Sequence, residues 1–248
     1  PLHILHVYHL QGPADPHQPT NFEQADAAAK SKAEADLATH LEKLQQDGYL
    51  PNDLELAHTV ELGLAVDTIT AESQRMNAAF VIMGTKGAGA TANKLLGSNA
   101  SAVLQHSACP VIVVPLQTQL KPVKMMAYAT DLRDPELAAP AASLAERLDA
   151  RLDLVHLTKE GKEASEDQLK GFAEAVKNAF DLPAVGIKQY PGSDLQAALQ
   201  AYAAVAEVDL LAMTHRDRSF WQRLFQPSQT MKMALHTHIP LLALRHDG

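Results

Sequence analysis

Gly84-Thr-Lys-Gly87, nine intervening residues and then Gly97-Ser98 make the stretch best suited to chemistry. Glycine reaches positive φ and has no Cβ to keep a ligand away from the main chain. Gly84 follows the apolar run Phe80–Met83, and open α/β sheets bind ligands where such strands end. Gly97-Ser98 opens a helical segment, and the unpaired N–H groups and dipole of a helix start favour a phosphate. Lys86 and Lys94 add positive charge. Strand ends and helix starts explain any one of these glycines singly. Four matched positions in strand–loop–helix order point instead to a main-chain cradle for a polyanion. No Gly-Lys-Ser/Thr is present, so this is not a Walker loop.

Other candidates have plainer readings. His3, His6 and His9 have the residue type of a metal site, but strand alternation sets His6 opposite His3 and His9. No metal is expected. His236 and His238 lie near a helix end, where histidine suits the dipole. Cys109 precedes a proline and an apolar run and reads as a small packed side chain. His215, Arg216, Arg218 and Arg223 interleave with Phe220, Trp221 and Phe225. Their favoured reading is aromatics packed under a loop with arginines paired to local acids; an anion or partner surface is the alternative. Asp131 and Asp134 flank a loop and read as a ribose contact or a helix cap. No Ser–His–Asp set and no carboxylate pair can be assigned, so no catalytic residue is expected.

Composition sets the frame for these groups. The 248 residues, 46% hydrophobic and 20% charged, suit two modest domains. No run approaches the ~20 apolar residues of a membrane span. A single cysteine excludes an internal disulfide framework and a four-cysteine zinc site. A net charge of −8 argues against a nucleic acid as partner. The opening Pro-Leu-His-Ile-Leu-His has no secretory-signal pattern. The expectation is a soluble, cytoplasmic protein that meets neither membrane nor nucleic acid.

The chain also repeats itself. At a shift of 130, Phe80–Gly84 falls on Leu210–Thr214, Ser98 on Ser228, His106 on His236 and Pro110 on Pro240. Val111–Val114 then falls on Leu241–Leu244, and no gap is needed through the glycine-rich stretch. The first unit reads strand Ile4–Tyr8, a capping box at Thr20-Asn-Phe-Glu23, and a helix with Phe22, Ala25, Ala29, Ala33, Leu37, Leu41 and Leu44 at helical spacing. Strand Leu54–Val60, helix Val66–Asn77, strand Phe80–Met83, helix Ser98–His106 and strand Val111–Val114 follow. After a polar linker, Pro115–Pro122, the second unit reads strand Val123–Thr130, helix Pro135–Leu148, strand Leu152–Leu157 and helix Asp167–Phe180. It closes with strand Val185–Gln189, helix Asp194–Ala204, strand Asp209–Met213, helix Ser228–His236 and strand Leu241–Leu244. Alternating β and α elements with apolar strands predict an α/β fold, parallel sheets covered by helices on both faces. The second unit has a strand and helix, Val123–Leu148, before Leu152-Asp-Leu-Val-His156, whereas the first opens on the matching Leu2-His-Ile-Leu-His6. By that comparison about thirty residues are missing from its front.

The pattern Gly84-x2-Gly87-x9-Gly97-Ser98, followed by Cys109-Pro-Val-Ile-Val-Val114, resembles the nucleotide motif of the universal stress protein family. Tyr128-Ala-Thr-Asp131 and Leu154-Val-His156 resemble a second copy of the domain. The resemblance implies two doubly wound domains of strand order 3-2-1-4-5, residues 1–118 and 119–248, the first without its opening strand and helix. Losing a central strand separates its neighbours, so upstream residues or a replacement strand are expected. The resemblance further implies ATP, with ADP or AMP as alternatives and Mg2+ alongside. Val7 would border the adenine, and Met83 and Gly84 would lie near adenine and ribose. Thr85, Lys86 and Gly87 belong to the same motif, and Gly87, Gly97, Ser98 and Asn99 would contact the phosphates. The family often has valine where Asn99 stands. The acidic residue that holds ribose has no counterpart in the first unit; Asp131 is its equivalent in the second. Thr214, Asp217 and Pro227 replace Gly84, Gly87 and Gly97 there, so no ATP is expected in that half. Pairing of the halves through their last strands, as a pseudo-dimer or in a homodimer, is also implied. So is a regulatory stress-response role read by protein partners. The alternatives are an interaction module without nucleotide and a slow ATPase.

Overall fold

A computed structural model describes residues 1–10, 21–51, 53–85, 97–158, 161–180, 182, 184–191, 202, 207–215 and 239–245. The chain divides into two compact units, Pro1–Met76 and Asn77–Gly248. That division falls inside the first sequence repeat.

The first unit is β1 (Leu2–Tyr8), α1 (Phe22–Gln46), β2 (Leu56–Leu62) and α2 (Ala65–Arg75). β1 and β2 form a parallel two-stranded sheet, Leu2 opposite Leu56 and Tyr8 opposite Leu62. Ala33 and Leu37 of α1 join Tyr8 and Val60 in a buried cluster with Ile4 packed against it. These strand residues all have even numbers, so one face is covered by α1. The odd face carries His3 and Thr59, and Glu72 of α2 approaches His3 there. α1 starts one residue later than the capping-box reading. Its cap is Asn21, whose side chain accepts from the Gln24 N–H, so Gln24 and not Glu23 stands at the third helical position.

The second unit runs β3 (Val81–Gly84), α3 (Ser98–His106), β4 (Val111–Val114), β5 (Met125–Thr130), α4 (Ala139–Arg147), β6 (Arg151–Thr158), α5 (Glu166–Ala179), β7 (Val185–Pro191), β8 (Leu210–His215) and β9 (Leu241–Arg245). The segment expected as one helix over Pro135–Leu148 divides into a 3₁₀ turn, Pro135–Ala138, and α4, because Asp134 caps the turn and Pro140 follows at its end. The helices read over Asp194–Ala204 and Ser228–His236 lie outside the described residues, Tyr202 excepted.

The seven strands of this unit form one sheet of order β3-β4-β9-β8-β5-β6-β7. Counted from β5, the strands of the second repeat stand 3-2-1-4-5. All pairs are parallel except β4–β9. There Ile112 faces Leu242, its own equivalent at the shift of 130, so the antiparallel pair is locally two-fold. The last strands of the two repeats meet here, and the strands of the first repeat are divided between two sheets. β3 and β4 continue the sheet of the second repeat, while β1 and β2 stand as a sheet of their own. The physical reason is pairing: β5 bonds both β6 and β8 in the second repeat, and β1 and β3 share no such strand among the described residues. The consequence is visible at matched positions, for Ala212 on β8 is 0% exposed and Ile82 on β3 is 62% exposed.

Met126, Tyr128, Leu152, Leu154, Leu210, Ala212, Leu242 and Leu244 form the core beneath Ala141, Ala142 and Ala145 of α4 and Phe172, Ala173 and Val176 of α5. Small residues on α4 let the helix lie close to the sheet, and burying this surface is the main force holding the unit together.

Candidate functional site

β3 ends at Gly84, which is exposed. Val81 N–H bonds Pro110 O and Thr85 N–H bonds Val114 O, each at 2.9 Å. Backbone groups alternate in direction along a parallel strand. Val81, Met83 and Thr85 therefore bond towards β4, and the N–H and C=O of Ile82 and Gly84 face the other way.

α3 begins at Ser98 with Gly97 as its cap residue, φ −68° and ψ 160°. Gly97 C=O accepts from Ser101 N–H at 3.0 Å, and Gly97 N–H donates to Thr85 O at 2.7 Å. A glycine cap has no side chain to offer the first turn, and none caps it among the described residues. Ser98 and Asn99 are exposed. Their main-chain N–H groups and that of Ala100 are the orphan donors of a helix start, with the positive dipole end behind them. The Gly97 amide, expected to contact a phosphate, is bonded to Thr85 O. No sequence signal marked Thr85 O as that partner, because a main-chain acceptor exists at every residue.

Met83, Gly84, Thr85, Gly97, Ser98 and Asn99 thus belong to one compact unit, and Val7 belongs to the other. Val7 is half-buried on β1. Leu2 N–H bonds Glu55 O at 2.9 Å and Gly63 N–H bonds Tyr8 O at 3.1 Å. The even residues of β1 therefore bond β2, and Val7 keeps its N–H and C=O on the opposite side. Lys86, Gly87 and Lys94 lie outside the described residues.

At the place matching Gly84, the second repeat uses its side chain internally. Thr214 donates its hydroxyl to Leu137 O at 3.2 Å and lies 2.9 Å from the Tyr128 hydroxyl. With its only proton on Leu137, Thr214 accepts the proton of Tyr128. Burial pushes the Tyr128 phenol up to about 12; Asp131 and Asp134 add to this, and the Thr214 bond opposes it. Asp131 accepts from Arg133 N–H at 3.2 Å and pairs with Arg133 Nε at 3.4 Å, so its carboxylate serves its own loop. Leu132 between them holds φ at +60°. Asp217, Pro227, the stretch from Arg216 to Phe225, His236 and His238 lie outside the described residues.

His3 and Cys109 are engaged in the fold. His3 Nε2 lies 2.9 Å from Thr59 Oγ1 and 3.8 Å from Glu72 Oε1. Arg75 first, then His3, holds the Glu72 carboxyl below its ordinary range against the effect of burial. His9 falls beyond the end of β1, so strand alternation does not reach it. Ser107 donates its hydroxyl to Cys109 O at 2.9 Å, with Cys109 Sγ 3.5 Å away. Among the described residues no three His, Cys, Asp or Glu side chains gather to hold a metal ion. No described helix is long and apolar enough to cross a membrane.

The model of the universal stress protein family matches residues 1–115. Over these residues the chain is similar to that family. The glycine cradle at Gly84 and Gly97 falls within the matched stretch. Solved structures resemble the chain over nearly its whole length. A universal stress protein from Archaeoglobus fulgidus DSM 4304 has 18% identity and a TM-score of 0.68, with 98% of this chain and 85% of that chain covered. A universal stress protein of Pseudomonas aeruginosa UCBPP-PA14 has 15% identity and a TM-score of 0.58, with 98% and 92% covered. A functionally unknown protein from Pseudomonas aeruginosa PAO1 has 17% identity and a TM-score of 0.57, with 99% and 92% covered. Identities this low establish a shared α/β fold with mainly parallel sheets. No curated protein matches the sequence.

Proposed function

We propose that the matched stretch is a universal stress protein domain that binds an adenine nucleotide, ATP with Mg2+, and that the chain acts as a nucleotide-dependent regulator in a stress response. One observation carries this reading. The exposed end of β3 at Gly84 is tied through Thr85 to a helix start whose first turn has no side-chain cap. Such a start favours an anion. The N–H groups of Ser98, Asn99 and Ala100 would hold phosphate oxygens, with the Ser98 hydroxyl beside them. Lys86 and Gly87 take their part from the motif, as Met83 and Gly84 do for adenine and ribose. For Val7 the resemblance supplies an adenine contact. Mg2+ would be held by phosphate oxygens and water. The second half is a further copy of the domain with a degenerate motif, and a protein partner would read the nucleotide state.

No residue is assigned to catalysis. Calorimetric titration of the full chain with ATP, ADP and AMP is the test: saturable binding supports the proposal, and no affinity for any of the three ends it. A second reading, an interaction module that dispenses with nucleotide, is favoured by one feature. The acidic residue at the ribose position, Asp131, occurs in the half whose cradle is lost. Nucleotide co-purifying with the protein, read by absorbance or mass spectrometry, would exclude it. Phosphate release exceeding that of a Gly97 and Ser98 double variant would favour a slow ATPase.

A further inference from the structure

We infer that the bond from Gly97 N–H to Thr85 O positions the phosphate-binding helix start of the first repeat, which makes Gly97 a positioning residue that the second repeat has lost. The inference rests on the nucleotide reading for what is positioned. Its geometry stands apart from that reading. The bond is 2.7 Å long, and Thr85 N–H is itself bonded to Val114 O at 2.9 Å. A continuous main-chain link thereby joins the start of α3 to the residue after β3 and to the end of β4. Eleven residues, 86–96, separate Thr85 from Gly97 in the sequence, and the link joins the two directly. Ser98 and Asn99, whose amides face the phosphates in the proposal, are the next two residues. Where they sit relative to Gly84 is set by the link.

The matched position of the second repeat is Pro227, which has no N–H. Gly97 holds φ at −68°, inside the range proline adopts. Exchanging one residue for the other therefore leaves φ unchanged and removes the donor. The repeat difference can thus be transplanted as a clean test.

Two full-length variants separate the donor from the missing Cβ. Gly97→Pro removes the N–H, and Gly97→Ala keeps it while adding a Cβ. Magnesium-ATP titrations should show Gly97→Pro weaker than Gly97→Ala by about tenfold, the order expected for one hydrogen bond. Melting temperatures of the two variants should agree within about 2 °C, a shift too small to reflect general damage to the fold. In the nucleotide-free wild type, the Gly97 amide followed by NMR should exchange with solvent at least about tenfold more slowly than an unbonded amide. That measurement needs no variant, so it stands even where Gly97→Pro fails to fold. Equal ATP affinity of the two variants overturns the positioning role and leaves the nucleotide reading intact. A fast-exchanging Gly97 amide overturns the link itself. A wild type without nucleotide affinity ends the nucleotide reading and the positioning role together, and amide protection then still tells whether the link exists.

Discussion

Tyr202 donates its hydroxyl to Asp153 Oδ2 at 2.7 Å, where Asp153 is 1% exposed. The same carboxylate accepts from Arg151 Nε at 2.7 Å and Arg151 Nη2 at 3.1 Å. Burial first, and then Asp153, pushes the Tyr202 phenol well above its ordinary range. Gly186 is the partner of Asp153 on β7, and a Cβ there would stand 2.5 Å from Asp153 Oδ1. In the first repeat the matched residues are Glu72 and His3, 3.8 Å apart. Both repeats therefore carry a polar pair at these matched positions, but with different chemistry. Asn77 and Glu207, matched at the shift of 130, mark the same equivalence, holding φ at 50° and 51°.

Tyr202→Phe should lower stability by roughly 1–3 kcal/mol, because a buried carboxylate loses one of its donors. Gly186→Ala should cost a similar amount, roughly 1–3 kcal/mol, by crowding the same carboxylate. Urea unfolding at neutral pH measures both. The double variant should cost less than the sum, since the two changes strike one group.

Asp209 governs acid stability. Its carboxylate accepts from Lys124 N–H at 2.8 Å and Met125 N–H at 2.9 Å, and Lys121 lies 2.6 Å away. Burial raises its pKa, but Lys121 and the two amides outweigh burial and hold it below the ordinary range. A depressed carboxylate contributes stability above its unfolded pKa, near 4, and that contribution is lost as pH falls through the folded value. Asp209→Asn should therefore be less stable at neutral pH and lose less on acidification. Melting temperatures followed from neutral to acid conditions check this; parallel curves for wild type and variant would contradict it.

Tyr128 supplies an alkaline counterpart. Its phenol, raised to about 12, favours the folded state below the unfolded value near 10, and that contribution is lost as pH rises through the folded one. Ultraviolet titration should show Tyr128 ionising late, identified by its disappearance in Tyr128→Phe. Thr214→Gly should destabilise by roughly 1–3 kcal/mol as Leu137 O and Tyr128 lose their partner. It should not create a second nucleotide site, because Asp217 and Pro227 remain. A calorimetric stoichiometry that stays at one nucleotide per chain is the expected result, and a second equivalent would refute the account of the degenerate half.

At the start of α1, the Asn21 side chain accepts from Gln24 N–H at 3.4 Å. That length places Asn21→Ala at the low end for a cap, about 0.5 kcal/mol. Urea unfolding of the variant should show no larger loss.

Periodicity and turn chemistry are local properties, which is why α3 and β4 occupy the residues that the sequence indicates and most other elements lie within two residues of them. The cap of α1 slipped by one residue because Asn21 and Thr20 are both competent caps, and only helix geometry chooses between them. The glycine motif was legible for a similar reason: absence of a side chain is written in the sequence. The link from Gly97 to Thr85 was not, since main-chain donors and acceptors carry no residue code.

The amino-acid sequence alone determined the alternation of strands and helices, the repeat at 130 residues and the asymmetry between Gly84 and Thr214, because each depends on residue type at a known spacing. Tertiary structure decided how strands share sheets. β4 faces β9 across Ile112 and Leu242, so β3 and β4 join the second repeat's sheet while β1 and β2 pair with each other. Strand pairing satisfies backbone groups that every residue possesses, and only the folded chain shows which partner each edge finds.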